Sequence, residues 1–127
     1  MSYEFSAEER DRFVHVRVTG ENTPDNVRGY LREVYELCAR TGASYVLIEE
    51  DLRGPRLDPV EVYRIIVSAS ADTVPVILSI AYVDLQSRDD NSNIDLSVEV
   101  ARDRGVNVQA FRTVAEAEAW LSQPPAG

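Results

Sequence analysis

The stretch Tyr45-Val46-Leu47-Ile48-Glu49-Glu50-Asp51 decides the fold of this chain. Its first part is apolar on both faces of an extended backbone, which is typical of an interior strand in a parallel sheet covered by helices. The run from Val76 to Val83 has the same character and ends at Asp84. Two such strands predict an α/β domain with acidic residues where the strands end.

Four segments carry the signals of helices. Thr23-Pro24 and Asp58-Pro59 each place an N-cap residue before a proline at the first helical position. A third helix is predicted from Ser92 to Arg104. The capping box Thr113-Val114-Ala115-Glu116 predicts the start of a fourth helix, which runs through Leu121.

Three further strands complete the predicted order. Tyr3 to Glu8 and Phe13 to Thr19 are close enough to form a hairpin, and Val106 to Phe111 is the last strand. The order β-β-α-β-α-β-α-β-α predicts a single mixed, mostly parallel β-sheet with right-handed crossovers. We expect one domain over residues 1–122 and a flexible C-terminal tail over residues 123–127.

The charge of the chain excludes several classes of partner and chemistry. It has 127 residues and a formal net charge of −9 at pH 7. Such a chain repels phosphate groups, so no nucleic acid partner is expected and anionic membrane surfaces are poor partners. All 13 basic residues are arginine, which excludes Schiff-base and P-loop sites that need a lysine. Complete use of arginine also indicates a GC-rich, bacterial genome.

The chain contains one cysteine, Cys38, and one histidine, His15. One cysteine forms no internal disulfide, which fits a cytoplasmic location, and no Cys/His cluster is available for a zinc ion. No apolar run approaches the ~20 residues of a membrane helix, and the first residues do not resemble a signal peptide. We therefore expect a cytoplasmic protein with no integral membrane segment, no cofactor and no metal.

Several short phrases of the sequence resemble those of a known superfamily. They are Val18-Thr19-Gly20, Ile80-Ala81-Tyr82-Val83-Asp84, Arg104-Gly105-Val106, Phe111-Arg112-Thr113 and Glu116-Ala117-Glu118-Ala119-Trp120-Leu121. With the element order, they resemble the STAS domain superfamily over nearly all of residues 3–122. The resemblance is greatest to the SpoIIAA-like branch, whose fold also resembles CRAL-TRIO lipid-binding domains. It implies a regulatory or protein-interaction module, or a protein that associates with membranes or binds an apolar ligand.

The sequence departs from that superfamily at one functional position. In the anti-sigma-factor antagonists that it resembles, a phosphorylatable serine stands where the second helix begins. Here the stretch 51–59 contains no serine or threonine, and Ser68 and Ser70 lie too far into the predicted helix. A phosphorylation-controlled switch is therefore not expected, whereas binding of a protein partner without phosphorylation is.

The second helix carries more apolar surface than one core-facing stripe requires. The first stripe comprises Val62, Ile65, Ile66 and Ala69, and a second apolar surface, here called the α2 surface, comprises Leu57, Val60, Tyr63 and Val67. The second surface is either covered by a neighbouring helix or available to a partner. If no helix covers it, the α2 surface would be a protein-binding face, a homodimer face or one wall of an apolar pocket.

A second group of candidates follows the third and fourth strands. It comprises Asp51, Arg53, Arg56, Asp84, Arg88, Asp89 and Asp90. Arginines there could hold a carboxylate or phosphate group, and Asp51 and Asp84 could share a cation or a proton. The simpler interpretation is a charged loop that only contacts solvent.

Three single residues receive structural interpretations. His15 has no orienting acid at a recognisable spacing, so we interpret it as structural or half-exposed. Cys38 falls on the apolar stripe of the first helix and is typical of a small core residue. Trp120 is predicted to anchor the last helix to the sheet.

Three functions follow from these observations. The first is a non-catalytic, STAS-like regulatory or protein-interaction module, which predicts a solid interior and an exposed patch. The alternative is a carrier or sensor of an apolar, lipid-like small molecule, which predicts an enclosed cavity of at least ~300 Å³. The third is a small enzyme that uses Asp51, Asp84 and His15, which predicts carboxylates converging in a cleft with a shifted pKa.

Overall fold

A computed structural model describes residues 3–73, 76–86 and 92–122. Over these residues the predicted order of strands and helices is confirmed. The elements are β1 (Tyr3–Glu9), β2 (Val14–Glu21), α1 (Pro24–Thr41), β3 (Tyr45–Arg53), α2 (Pro59–Thr73), β4 (Ser79–Asp84), α3 (Ser92–Asp103), β5 (Val108–Phe111) and α4 (Val114–Ser122). The tail predicted over residues 123–127 lies outside the described residues.

The strands form one sheet in the order β1-β2-β3-β4-β5. β1 pairs antiparallel with β2, and every later pairing is parallel. This confirms the mixed, mostly parallel sheet that the sequence predicts. A helix joins each parallel pair, because parallel neighbours need a crossover connection.

The helices cover both faces of the sheet. Tyr30 and Cys38 of α1 pack in one core cluster with Ile48 of β3, whereas Leu121 of α4 packs in another with Leu47. Successive strand residues point to opposite faces, so α1 and α4 lie on opposite sides. α2 packs between α1 and α3, which makes a three-helix layer on the α1 side.

Local capping fixes where the first two helices begin. The backbone amide of Asn26 donates to Oγ1 of Thr23 over 3.1 Å, and that of Val60 donates to Oδ1 of Asp58 over 2.8 Å. α1 ends at Gly42, whose φ of 81° is a left-handed conformation that glycine adopts at little cost. The contacts of Thr23 and Asp58 confirm the two N-caps predicted from the sequence.

The third strand is longer than predicted. The sequence pattern predicts a strand over Tyr45 to Asp51 and a loop from Leu52 to Leu57, but Gly20 of β2 pairs with Leu52 and Glu21 pairs with Arg53. The neighbouring strand therefore extends the ladder beyond the apolar run. As a result, Glu49 and Glu50 lie inside the sheet between β2 and β4, and Asp51 pairs with β2.

The fourth and fifth strands are shorter than predicted. β4 begins at Ser79 instead of Val76, because the amide of Ile77 donates to the carbonyl of Thr73 over 2.8 Å in a turn after α2. β5 begins at Val108. The apolar residues before each strand belong to the connections, where Ile77 and Val106 are buried but Leu78 is 61% exposed.

The buried stripe of α1 also differs from the predicted one. The buried positions repeat every fourth residue and are Asn26, Tyr30, Val34 and Cys38. The helical spacing of Val27, Leu31, Val34 and Cys38 in the sequence predicts a different stripe, but Val27 and Leu31 are only partly buried against the same cluster. The helix is therefore rotated so that a tyrosine hydroxyl points toward the sheet.

Candidate functional site

A buried glutamate interrupts an apolar row on β3. The alternate residues that face the α1 layer are Val46, Ile48, Glu50 and Leu52, and all of them are buried. Glu50 exposes 8% of its surface. Because burying an isolated carboxylate is costly, a charged group here needs hydrogen-bond partners or must be neutralised.

Two tyrosines supply those partners. The hydroxyl of Tyr82, on β4, donates to Oε1 of Glu50 over 2.8 Å. The hydroxyl of Tyr30, on α1, donates to Oε2 of the same carboxyl. The carboxyl is thus held from two sides, by the neighbouring strand and by the helix above it.

Burial changes the acidity of this cluster. It is the main reason that the pKa of Glu50 rises from 4.5 to about 7. The hydrogen bonds from Tyr30 and Tyr82 act against that rise, and the charge of Asp84 adds to it. Burial also raises the pKa of both phenols well above the usual value, so both stay protonated and donate. The carboxyl therefore exchanges its proton near neutral pH.

Asp84 extends the cluster to the carboxyl edge of the sheet. It pairs in register with Glu50, and burial raises its pKa, with the charge of Asp51 adding to the effect. Its Oδ1 accepts from the backbone amide of Gln86 over 2.9 Å, and the side-chain amide of Gln86 donates to Oδ1 of Asp51 over 2.7 Å. Gln86, which the sequence analysis did not single out, thus connects the two predicted aspartates.

A cavity of about 120 Å³ lies beneath α1, α2 and α3, and Glu50 is part of its wall. Its apolar lining comes from these three helices and from β3, β4 and β5: Val27, Leu31, Ile48, Ile66, Ala69, Ile80, Val98, Ala101, Val106 and Val108. Its polar lining comprises Tyr30, Glu50, Ser70, Thr73, Tyr82 and Ser97. Among these described residues, Glu50 alone carries a carboxyl. Mostly apolar walls with a few polar groups are typical of a small-molecule site.

The α2 surface is not part of the described cavity wall. Val60 and Tyr63 are 58% and 46% exposed, while Leu57 and Val67 are partly buried. Val67 lines a groove between α2 and α3 that also contains Asp103. The cavity wall is instead built from the stripe of α2 that the sequence analysis assigned to the core.

The predicted polar loop residues are only partly brought together. Nε of Arg53 lies 3.5 Å from Oδ1 of Asp51, and the arginine is exposed. Arg56 is exposed as well. Arg88, with Asp89 and Asp90, lies outside the described residues, so the arrangement of that part of the group stays a prediction.

His15 has an acidic partner that its spacing did not reveal. Its Nε2 lies 2.8 Å from Oε1 of Glu49 on the neighbouring strand, and Nε of Arg17 donates to the same oxygen over 3.3 Å. Since a carboxylate only accepts, Nε2 carries the hydrogen. His15 is 3% exposed, and within the described part of the chain its Nδ1 has no hydrogen-bond partner. Its burial supports the structural interpretation.

Cys38 and Trp120 lie where the sequence suggests, with one difference. Cys38, on α1, is buried in the core. The ring of Trp120 packs on Phe111, with centroids 5.6 Å apart, but it is only partly buried, whereas Leu121 is fully packed. The anchor of α4 is therefore shared between them.

Two further kinds of feature are absent from the described residues. None of the helices there is long and apolar enough to cross a membrane. Across the same residues, histidine, cysteine and acidic side chains do not gather in threes as metal ligands would.

No family model matches the chain, and no curated protein matches it.

Proposed function

We propose that the protein is a non-catalytic, STAS-like regulatory module that senses or carries a small, largely apolar molecule in the cavity beneath α1, α2 and α3. The observation that carries this proposal is the cavity itself, with its mostly apolar walls and, among the described residues that line it, the one carboxyl of Glu50. Apolar walls supply affinity, and a few placed polar groups supply orientation and specificity.

The size of the cavity limits the ligand. A cavity of about 150 Å³ holds one benzene molecule, so 120 Å³ holds about five non-hydrogen atoms. This is below the ~300 Å³ expected for a carrier of drug-sized or larger ligands. The proposed ligand is therefore much smaller than a lipid.

The regulatory part of the proposal rests on the sequence and the fold order. The order of strands and helices is the one that carries the STAS resemblance. The turn between β3 and α2 holds no serine or threonine, so ligand occupancy takes the place of phosphorylation as the signal.

The proposal is tested with cyclopentane, an uncharged apolar probe of matching size. The methyl NMR signals of Ala69, Ala101 and Val108, which line the cavity, should shift when cyclopentane is added. These shifts should reach saturation at high cyclopentane concentration. Ala101→Leu fills the cavity and should abolish the shifts. Ala119→Leu makes the same change at an exposed position of α4 and should leave them intact. Failure of cyclopentane, and of the three four-carbon probes described below, to perturb these signals in the unmodified protein would contradict the proposal.

A second function is favoured by a separate observation. Val60 and Tyr63 expose a large part of their apolar surface, as the α2 surface needs to do if it contacts a protein partner or a second copy of the chain. Sedimentation velocity of the unmodified protein and of Val60→Asp tests self-association. A concentration-dependent dimer that the substitution dissociates would support this function, and a monomer for both would exclude the homodimer.

A further inference from the structure

The charged group in the described cavity wall favours a ligand that donates a hydrogen bond, and the hydroxyls of Ser70, Thr73 and Ser97 also line the cavity. The charged group in the described wall is the carboxyl of Glu50, and a carboxylate accepts hydrogen bonds without donating any. Tyr82 and Tyr30 each fill one site on its two oxygens. Each oxygen has a second lone pair, so the carboxyl can accept from a ligand without losing either tyrosine.

Charge adds a second restriction. Asp84 stands beside Glu50 in the sheet, and the chain as a whole carries a net charge of −9. Both the local and the overall field therefore attract cations and repel anions. Two aromatic rings, those of Tyr30 and Tyr82, also line the cavity, and the faces of such rings attract ammonium groups.

The third restriction is shape. Beyond the Glu50 cluster, the walls consist mainly of aliphatic side chains from α2, α3 and β5. The ligand therefore needs a compact aliphatic body, and about five non-hydrogen atoms leave room for a single polar group.

We propose that the cavity binds a small primary alkylammonium ion, with its nitrogen donating to the Glu50 carboxyl and its aliphatic body against Ile66, Val98 and Ala101. This inference rests on the proposed function, because it names the class of ligand that the same cavity takes. Titratable groups that face Glu50 are Tyr30 from α1 and Tyr82 and Asp84 from β4.

The test compares three probes that share one aliphatic body: isobutylammonium, isobutanol and isobutyrate. Dissociation constants are measured by methyl NMR at about pH 8 and about pH 5.5, on either side of the Glu50 pKa of about 7. At the higher pH we expect isobutylammonium to bind at least about tenfold more tightly than isobutanol, and isobutyrate to bind least. At the lower pH the carboxyl is protonated, so the preference for the cation should largely disappear.

Two variants separate the site from general attraction to an acidic protein. Glu50→Gln should remove the preference for isobutylammonium at both pH values while leaving isobutanol binding in place. Ala101→Leu should remove the binding of all three probes, whereas cations held by surface charge would persist. The comparison of the unmodified protein at two pH values keeps the test decisive if Glu50→Gln does not fold.

The outcomes distinguish this inference from the function on which it rests. Equal affinities for isobutylammonium and isobutanol at about pH 8, or tightest binding of isobutyrate, would overturn the inference while the cavity remains a ligand site. If neither these probes nor cyclopentane bind, the proposed function fails, and the inference fails with it.

Discussion

Tyr82 and Glu50 stand on adjacent parallel strands, and the phenol donates to the carboxyl over 2.8 Å inside the protein. The two residues are 32 positions apart in the sequence. Their contact joins the sheet to the cavity, because both side chains line it. The protonation of Glu50 therefore affects both the stability of the fold and the chemistry of the cavity wall.

Tyr82→Phe removes one donor to Glu50 while keeping the ring. Above the pKa of Glu50 the carboxylate then has one partner fewer, so the free energy of unfolding should fall by about 1–3 kcal/mol at pH 8. At pH 5 the carboxyl is protonated, and the loss should be smaller. Urea denaturation at both pH values measures the difference. Tyr63→Phe, at an exposed tyrosine, is the matched control and should change stability by less than ~0.5 kcal/mol. Equal losses for Tyr82→Phe at both pH values would show that Tyr82 does not stabilise the protein through the charge of Glu50.

Glu50→Gln should change how stability depends on pH. The pKa of Glu50 is higher in the folded protein, about 7, than the ordinary 4.5 of an unfolded chain. The folded state therefore binds more protons in this window, and stability falls as pH rises from about 4.5 to about 7. A glutamine does not titrate, so the variant should gain roughly 3 kcal/mol relative to the unmodified protein between pH 4 and pH 8.

The comparison is made by chemical denaturation across that pH range. Glu9→Gln removes an exposed carboxyl from β1 and serves as the control, with a pH profile parallel to that of the unmodified protein. Parallel profiles for Glu50→Gln as well would show that the carboxyl titrates at its ordinary value.

The fold could be predicted because its signals are local. Asp58 caps α2 from two residues away, and the apolar run that begins β3 is continuous in the sequence. Strand ends were predicted less well, because they depend on the neighbouring strand. For example, β3 reaches Arg53 because Glu21 of β2 pairs with it. That information is absent from the local pattern of either segment.

The cavity site could not be predicted, although one signal was present. Leu52 continues the alternation of Ile48, so Glu50 lies in phase with buried residues, and this phase could have identified it as a buried acid. Its partners could not have been found this way. Tyr30 lies 20 positions before Glu50 and Tyr82 lies 32 after it, and only the folded sheet brings them together.

Val60 and Val62 provide a matched pair on α2. Val62 is 7% exposed and belongs to the stripe that packs inward, whereas Val60 is mostly exposed. Val62→Ala should lower the free energy of unfolding by about 2 kcal/mol, because apolar burial and packing are lost. Val60→Ala should change it by less than ~0.5 kcal/mol. Urea denaturation measures the free energy of unfolding of both variants. Similar losses of stability for Val60→Ala and Val62→Ala would mean that the α2 surface is covered.

Leu121, more than Trp120, is expected to hold α4 on the sheet. Leu121 is 5% exposed, while Trp120 is partly buried and packs on Phe111 with rings tilted by 49°. Leu121→Ala should therefore cost about 2–5 kcal/mol. Trp120→Ala should cost less than the ~3–5 kcal/mol typical of a buried aromatic residue. A double-mutant cycle of Trp120→Ala and Phe111→Leu measures the energy of the ring contact. The two substitutions should be coupled by about 0.5–1.5 kcal/mol. A larger loss for Trp120→Ala than for Leu121→Ala would instead make the tryptophan the principal anchor of the helix.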